Sequence, residues 1–279
     1  MTIEVVKFFQ SLRSDFLDFF FNGVSFLGEE YVYILVLAVV YFGISQKKGE
    51  FLAFILFFTG VLNTWIKGIV AAERPFEKFP DEVVNLRPET SPGYSFPSGH
   101  TQNFTAFLTS IAILLKRKSY LIITFVLVIL MAVSRMYLGV HFLEDVIVSI
   151  VLGLATAYVG NYFFTNHYEK RLLVYSIIGV IGLVSIIFIR DESYLKALGY
   201  YLGFVCAMYF NDYVVQYTFS TALKKRIIRV IVGLILIAGL QVGFSILGIE
   251  NFYLKMIRNT FIVFTGFGLY PLLIKRMQF

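Results

Sequence analysis

The chain has 279 residues, of which 58% are hydrophobic, 18% aromatic and only 15% charged, and its mean hydropathy is +0.77. A water-soluble globule of this size does not carry that balance, so the solvent for most of the chain is lipid. The net charge of +6 is spread over short turns between apolar runs and needs no nucleic-acid partner.

From the N-terminus, residues 3–21 interleave Val5, Phe9, Leu12, Phe16 and Phe20 with Glu4, Lys7, Ser11, Arg13, Ser14, Asp15 and Asp18. That spacing predicts an amphipathic helix lying in the membrane interface. The acidic residues, and the absence of a small-residue cleavage site, argue against a cleaved signal peptide. Apolar stretches follow at 30–46, 51–72, 100–115, 120–138, 143–165, 172–189, 195–212, 227–247 and 256–274. Each approaches the ~20 residues that a helix needs to cross hydrocarbon. They are continuous runs without the alternation of barrel strands, so each satisfies its backbone hydrogen bonds as a helix. The expected fold is all-α: a polytopic integral membrane helical bundle of about nine transmembrane helices plus the N-terminal interfacial helix. Its expected organisation is an interfacial segment 1–29, a core 30–165 that carries the chemistry, and additional C-terminal helices in 166–279.

Lysine and arginine mark the cytoplasmic loops of such a bundle. Lys47 and Lys48, Lys116 to Lys118, Lys170 and Arg171, Lys224 to Arg226, and Lys275 and Arg276 fall on one side of this layout. That side is the cytoplasm, with the N-terminus outside and the C-terminus inside. The opposite loops hold Glu73, Glu77, Asp81, Glu82, Glu89, Asp191 and Glu192. Cys206 is the single cysteine and reads as a small buried hydrophobe; within one chain it forms no disulfide. The one long connection, 73–99, holds five of the six prolines. Long ordered loops of this kind carry function.

The residues suited to chemistry stand at the outer ends of these stretches. Lys67 and Arg74 are seven apart, about two helical turns, and Asn63 extends the same face inward. A lysine at this depth meets a partner or a wet cavity, or else snorkels to the headgroups. Pro75 is expected to stop the helix after Arg74. In Ser95-Phe96-Pro97-Ser98-Gly99-His100, proline suits a first helical turn and glycine allows close backbone approach, so a helix N-terminus with free N–H groups is expected there. The plainer alternative is a loop-to-helix boundary with a capping serine. In Ser134-Arg135-(five residues)-His141-Phe142-Leu143-Glu144-Asp145, Gly139 permits a break, and His141 and Asp145 are spaced to share a helix face. An aspartate on one ring nitrogen fixes the tautomer and leaves the other free to act. Few zinc-type ligands cluster here, and three cations nearby would repel a divalent ion, so no metal and no cofactor are expected.

Taken together and in order, Lys67-(six)-Arg74-Pro75, Pro97-Ser98-Gly99-His100 and Ser134-Arg135-(five)-His141-(three)-Asp145 resemble the signature of the type 2 phosphatidic-acid phosphatase superfamily. That group includes bacterial lipid phosphatases, glucose-6-phosphatase and the vanadium haloperoxidases. The resemblance covers roughly residues 60–165. It implies that His141 is a nucleophile forming a phosphohistidine, that Asp145 orients it, and that His100 is the acid for the leaving alkoxide. It further implies that Lys67, Arg74, Ser98, Gly99 and Arg135 bind phosphate, and that no metal takes part. The expected activity is hydrolysis of a lipid phosphomonoester or an isoprenyl or lipid pyrophosphate at the outer face of a cytoplasmic membrane, with a phosphorylated lipid and membrane lipids as partners. A glucose-6-phosphatase-like hydrolase of a soluble sugar phosphate, a phosphotransferase, and a binder or transporter without turnover are the alternatives. The helices beyond residue 172 carry no motif.

Overall fold

The computed structural model describes residues 3–219 and 222–277. Among them every regular element is helical. In chain order these are α1 (Ile3–Ser11), α2 (Asp15–Phe26), α3 (Glu30–Ala38), α4 (Gln46–Val70), α5 (Pro75–Lys78), α6 (Gly99–Leu115), α7 (Lys118–Tyr137) and α8 (Leu143–Asn166). There follow α9 (Arg171–Ser185), α10 (Glu192–Phe210), α11 (Leu223–Ile246), α12 (Phe252–Phe264) and α13 (Tyr270–Arg276). Three π-helical stretches, Val39–Ile44, Asn211–Val215 and Thr265–Leu269, prolong α3, α10 and α12. Every apolar stretch expected from the sequence is thus helical. Five spans among the described residues are long and apolar enough to cross a membrane: Gln46–Lys78, Lys118–Tyr137, Leu143–Asn166, Leu223–Ile246 and Phe252–Arg276. A sixth is added if the bent pair Asp15–Phe26 and Glu30–Ile44 counts as one. α6 and α9, of 17 and 15 residues, are short for the purpose.

The chain divides into two compact units. The first comprises Met1–Val32 and Leu62–Asn161. Its centre is α7, against which α1, α2 and α6 pack. Met131 and Val128 meet Phe104 of α6 and Val24 of α2, while Met136 and Ala132 meet Val5 and Phe9 of α1. The single N-terminal amphipathic helix expected from the sequence is two helices: Ser14 interrupts it in extended conformation, and its side chain accepts from Leu17 N to cap α2. One face of this pair is buried, as Val6 is against Val83 and Phe142, and the other exposes Phe8, Phe16 and Phe19.

The long connection is pinned rather than loose. Gln10 Nε2 donates to Val84 O at 2.7 Å and Val84 N donates to Gln10 Oε1 at 3.0 Å, so one side chain from α1 pairs a loop residue as a strand would. Leu86 N donates to Leu138 O at 3.1 Å, and Lys7 Nζ donates to Glu82 Oε2 at 2.6 Å. Gly139 sits beneath this contact at φ +75, where a Cβ would lie 2.4 Å from Val84 O. Both the backbone angle and the space admit glycine alone.

The second unit comprises Tyr33–Val61 and Tyr162–Phe279. α10 runs along α12, with Gly199 and Gly203 one turn apart at the seam. A Cβ at Gly199 would come within 2.5 Å of Met256 O and one at Gly203 within 2.4 Å of Thr260 O. Small residues spaced by four let helix backbones touch, which is how apolar helices associate when lipid offers no hydrophobic drive. Cys206, expected to be buried, is exposed.

Candidate active site

Four stretches of the first unit bring the chemistry together: the end of α4, the loop before α6, the start of α6, and the α7–α8 corner. α4 stops at Val70 because Ala71 takes a left-handed φ of 49 and Arg74 is extended. The expectation that Lys67 and Arg74 share one helical face is therefore corrected. Asn63 and Lys67 do lie on α4, whereas Arg74 is the residue before α5, with Pro75 at the first helical position. Released from the helix, the Arg74 guanidinium threads among carbonyls: Nε donates to Gly93 O at 2.8 Å, Nη2 to Pro92 O at 3.0 Å and Nη1 to Val140 O at 2.9 Å. Lys67 Nζ donates to Tyr94 O, and to Ser95 O at 3.0 Å.

Pro97 is not in the helix that follows; α6 starts at Gly99 with Ser98 as its cap. The Ser98 hydroxyl accepts from Thr101 N and lies 3.0 Å from Thr101 Oγ1, so the capping role is the one its side chain fills here. Asn63 steadies this N-terminus: its Nδ2 donates to Pro97 O at 3.3 Å and to Gln102 Oε1 at 2.9 Å. Its Oδ1 lies where a Cβ on Gly99 would stand 3.1 Å away.

At the corner, α7 ends at Tyr137 and α8 begins at Leu143, so His141 precedes the helix rather than riding on it. The pair with Asp145 forms even so, because Asp145 Oδ2 caps the start of α8: Phe142 N donates to it at 2.8 Å and the Ser95 hydroxyl donates to it as well. His141 Nδ1 lies 3.3 Å from that same oxygen, and His141 Nε2 lies 3.3 Å from Arg74 Nη1. A guanidinium only donates. Nε2 is therefore the acceptor nitrogen and Nδ1 carries the proton toward Asp145. Burial, and after it Arg74, Lys67 and Arg135, hold the His141 imidazole neutral, with a pKa well below its ordinary 6.5.

His100 and Arg135 complete the group. Arg135 is wholly buried; Nη1 donates to Ser25 Oγ at 2.5 Å, while Nε and Nη2 are buried without a hydrogen-bond partner. His100 Nε2 is buried and equally unpartnered. Lys67, Arg74, Arg87 and Arg135 all lie within electrostatic reach of His100. Buried donors left open are costly unless they serve something, and here they accompany the acceptor nitrogen of a fixed imidazole. Such a set can stabilise a trigonal or tetrahedral oxyanion.

Five contributors, Ser25, Gly28, Glu29, Arg87 and Ser95, escaped the sequence reading. Ser95 reaches Asp145 across fifty residues. Ser25, Gly28 and Glu29 come from the break between α2 and α3: Ser25 accepts from Arg135, a Cβ on Gly28 would stand 3.1 Å from His100 Cδ2, and Glu29 pairs with Arg87. Arg87 also donates to Asn22 Oδ1 at 2.9 Å. The signal available was the run Ser25-Phe26-Leu27-Gly28-Glu29, a small-residue break followed by a charge. Among the described residues no group of three or more His, Cys, Asp or Glu that could hold a metal ion occurs.

The model of the PAP2 superfamily matches residues 50–169, and that of the PAP2 superfamily phosphatase transmembrane extension matches residues 195–279. A decaprenylphosphoryl-5-phosphoribose phosphatase of Mycobacterium tuberculosis is 36% identical over 47% of this chain and 72% of its own length. The chain belongs to the PAP2 superfamily. Phosphatidylglycerophosphatase B of Bacillus subtilis is 30% identical over 51% of this chain and 73% of its own. An undecaprenyl-diphosphatase of Sulfolobus acidocaldarius is 35% identical over 45% of this chain and 60% of its own. The crystal structure of a transmembrane PAP2-type phosphatidylglycerolphosphate phosphatase from Bacillus subtilis superposes with a TM-score of 0.52 at 25% identity, over 59% of this chain and 85% of that one. This PAP2 protein is an integral membrane phosphoric ester hydrolase, and the family match of 50–169 contains every site residue named from the motifs.

Proposed function

We propose that this PAP2 phosphatase hydrolyses a lipid phosphomonoester or an isoprenyl or lipid pyrophosphate through a phosphohistidine at His141. The observation that carries this reading is the position of His141 between Asp145 on Nδ1 and Arg74 beside Nε2. The Nε2 lone pair attacks phosphorus while the bond to the leaving oxygen breaks. His100 gives that oxygen a proton. Water then attacks the phosphorus of the P–N adduct, losing its proton to His100, and free Nε2 and inorganic phosphate result. Lys67, Arg74 and Arg135 receive the charge on the equatorial oxygens, with Ser98 and the backbone at Gly99 at the helix start; no step calls on a metal ion. Preorganised donors of this kind each contribute roughly 10²- to 10³-fold in rate.

The names of the relatives support a lipid substrate, since phosphorylated polyprenyl and glycerophospholipid headgroups recur among them. In the topology we propose, nine spans cross a cytoplasmic membrane, the site faces outward and the C-terminus faces the cytoplasm, as the distribution of Lys and Arg among the loops indicates. The segment 1–29 lines the interface, 30–165 is catalytic, and 166–279 adds membrane helices. The test is phosphate release by the purified chain from lipid phosphates, isoprenyl pyrophosphates and sugar phosphates in excess EDTA, beside His141→Ala and His100→Ala. Release that resists EDTA and disappears in both variants supports the mechanism and ranks the substrates. Release that persists in His141→Ala sinks it.

A further inference from the structure

The second unit contains a cavity of about 760 Å³ that uses none of the residues assigned to phosphoryl transfer. Two of the three π-helical stretches line it, through Tyr41 and Phe42 on one side and Asn211 and Asp212 on the other. The third supports it from behind, since Phe267 O accepts from Asn211 Nδ2 at 2.8 Å. π-Helical turns are rare and gather at functional sites, where the extra residue re-aims a side chain. Three that meet around one cavity call for an explanation.

The charges there are arranged unequally. Both carboxylates of the lining, Glu50 and Asp212, are met by one guanidinium: Arg171 Nε lies 2.9 Å from Glu50 Oε1, and Arg171 Nη2 lies 2.6 Å from Asp212 Oδ1. Tyr168 and Tyr175 donate to Glu50 as well. Arg171, placed by the sequence in a cytoplasmic turn, is buried in this network. The remaining ionic members of the lining are cations: Lys47, Arg226 and Arg229. Lys47 Nζ sits 4.0 Å from the Tyr168 ring centroid. Arg229 is 2% exposed, its Nε donating to Phe42 O at 3.0 Å. With the carboxylates answered from behind, the cavity presents a cationic face beside aromatic walls.

Asn211 gives the second, independent indication. Its Nδ2 is committed to Tyr41 OH and Phe267 O, which fixes the amide, and its Oδ1 is buried without a hydrogen-bond partner. An acceptor held in that way asks for a donor that the protein does not supply.

We propose that this cavity is a binding site for a phosphate ester that also carries a free hydroxyl, its phosphate held by Arg226, Arg229 and Lys47 and its hydroxyl donating to Asn211 Oδ1. Paired guanidinium groups suit phosphate oxygens, and a glycerol-like neighbour fits a wall of aromatic faces. Two sources share this chemistry: a water-soluble glycerophosphodiester, and the headgroup of an anionic glycerophospholipid such as phosphatidylglycerol.

The test uses the full-length chain and the double variant Lys47→Glu/Arg226→Glu. Both substitutions are on the rim of the cavity and leave the Glu50–Arg171–Asp212 network intact, so thermal unfolding and phosphatase activity serve as controls for folding. Binding is titrated by native mass spectrometry with glycerophosphoglycerol, with phosphatidylglycerol, and with phosphatidylcholine as a zwitterionic control. Expected is one equivalent of an anionic probe lost, or weakened at least tenfold, in the variant. A loss seen with the soluble diester identifies a soluble ligand, and one confined to phosphatidylglycerol identifies a lipid headgroup. Asn211→Leu adds a second reading: its affinity for the hydroxylated probes falls, while that for phosphatidylmethanol, an anionic diester without a free hydroxyl, stays at the wild-type value. Equal stoichiometry and affinity of the wild type and the double variant for both anionic probes would overturn the proposal. Because the readout is binding at residues remote from the motifs, its failure leaves the hydrolase reading untouched, and the reverse holds too.

Discussion

Arg74 Nη1 lies 3.3 Å from His141 Nε2 while donating to Val140 O, so one guanidinium both fixes the corner that carries the imidazole and stands beside its reactive nitrogen. Replacing Arg74 by Lys keeps a charge but loses the fork that engages Pro92, Gly93 and Val140. Expected is a fall in kcat of about 10²-fold or more with a smaller change in KM. Steady-state kinetics on a soluble short-chain lipid phosphate, read beside thermal unfolding, checks it. A kcat within threefold of the wild type would show that the guanidinium does not act on the transferring group.

The same neighbourhood sets the pH dependence. The nucleophile must be neutral, and burial, followed by Arg74, holds the His141 pKa well below 6.5. The acidic limb of kcat/KM is therefore expected below pH 6.5, and Arg74→Met moves it upward. Stability follows the same sign. The unfolded imidazole takes up a proton near 6.5 that the native one refuses, so the contribution is full above that pH and is lost as pH falls from there through the lowered native value. A limb that stays in place in Arg74→Met would assign the depression to burial and to the other cations, Lys67 and Arg135.

The second layer of the site is the break between α2 and α3. Glu29 and Arg87 are 13% and 18% exposed, and Arg87 lies within reach of both His100 and Arg135. Removing the carboxylate alone strands the Arg87 cation beside Arg135. Glu29→Gln is expected to cost roughly 1–3 kcal/mol, below the value for a fully buried pair because this one is partly hydrated. Adding Arg87→Gln should restore part of that loss. Chemical unfolding of the two single variants and the double variant decides it: strictly additive effects would mean that the pair is not coupled.

What the sequence made legible was the set of residues whose spacing is local. Lys67, His100, Arg135 and His141 sit in short motifs, and the structure brings them within electrostatic reach of one another, although His141 precedes α8 instead of riding on it. The geometry between motifs was less accessible. Arg74 seemed to continue a helix because nothing in Val70-Ala71-Ala72-Glu73 disfavours one, yet Ala71 turns left-handed and frees the side chain. Ser25 and Glu29 lay in a segment whose amphipathic pattern explained itself as a surface helix, and their partners Arg135 and Arg87 are more than fifty residues away. Arg171 followed the loop-charge pattern so well that its burial against Glu50 and Asp212 left no trace in the local sequence. Periodicity reports which face is apolar. It does not report which distant side chain that face will meet.

The seam between α10 and α12 yields the last prediction. At Gly203 a Cβ would come within 2.4 Å of Thr260 O and 3.0 Å of Val263 Cβ, and Thr260 Oγ1 already donates to Gly199 O at 3.0 Å. Backbone cannot retreat as a flexible side chain does, so Gly203→Leu forces the helices apart over the whole contact and breaks that hydrogen bond. Overpacking of this kind costs about 1–3 kcal/mol, and more when backbone is the obstacle. Expected is a clear loss of stability in detergent by thermal unfolding, with Gly239→Leu as a control, since a Cβ there meets nothing within 4 Å. If both substitutions shift the midpoint equally, helix propensity or lipid contact governs this region, and the close approach of α10 to α12 contributes nothing to its stability.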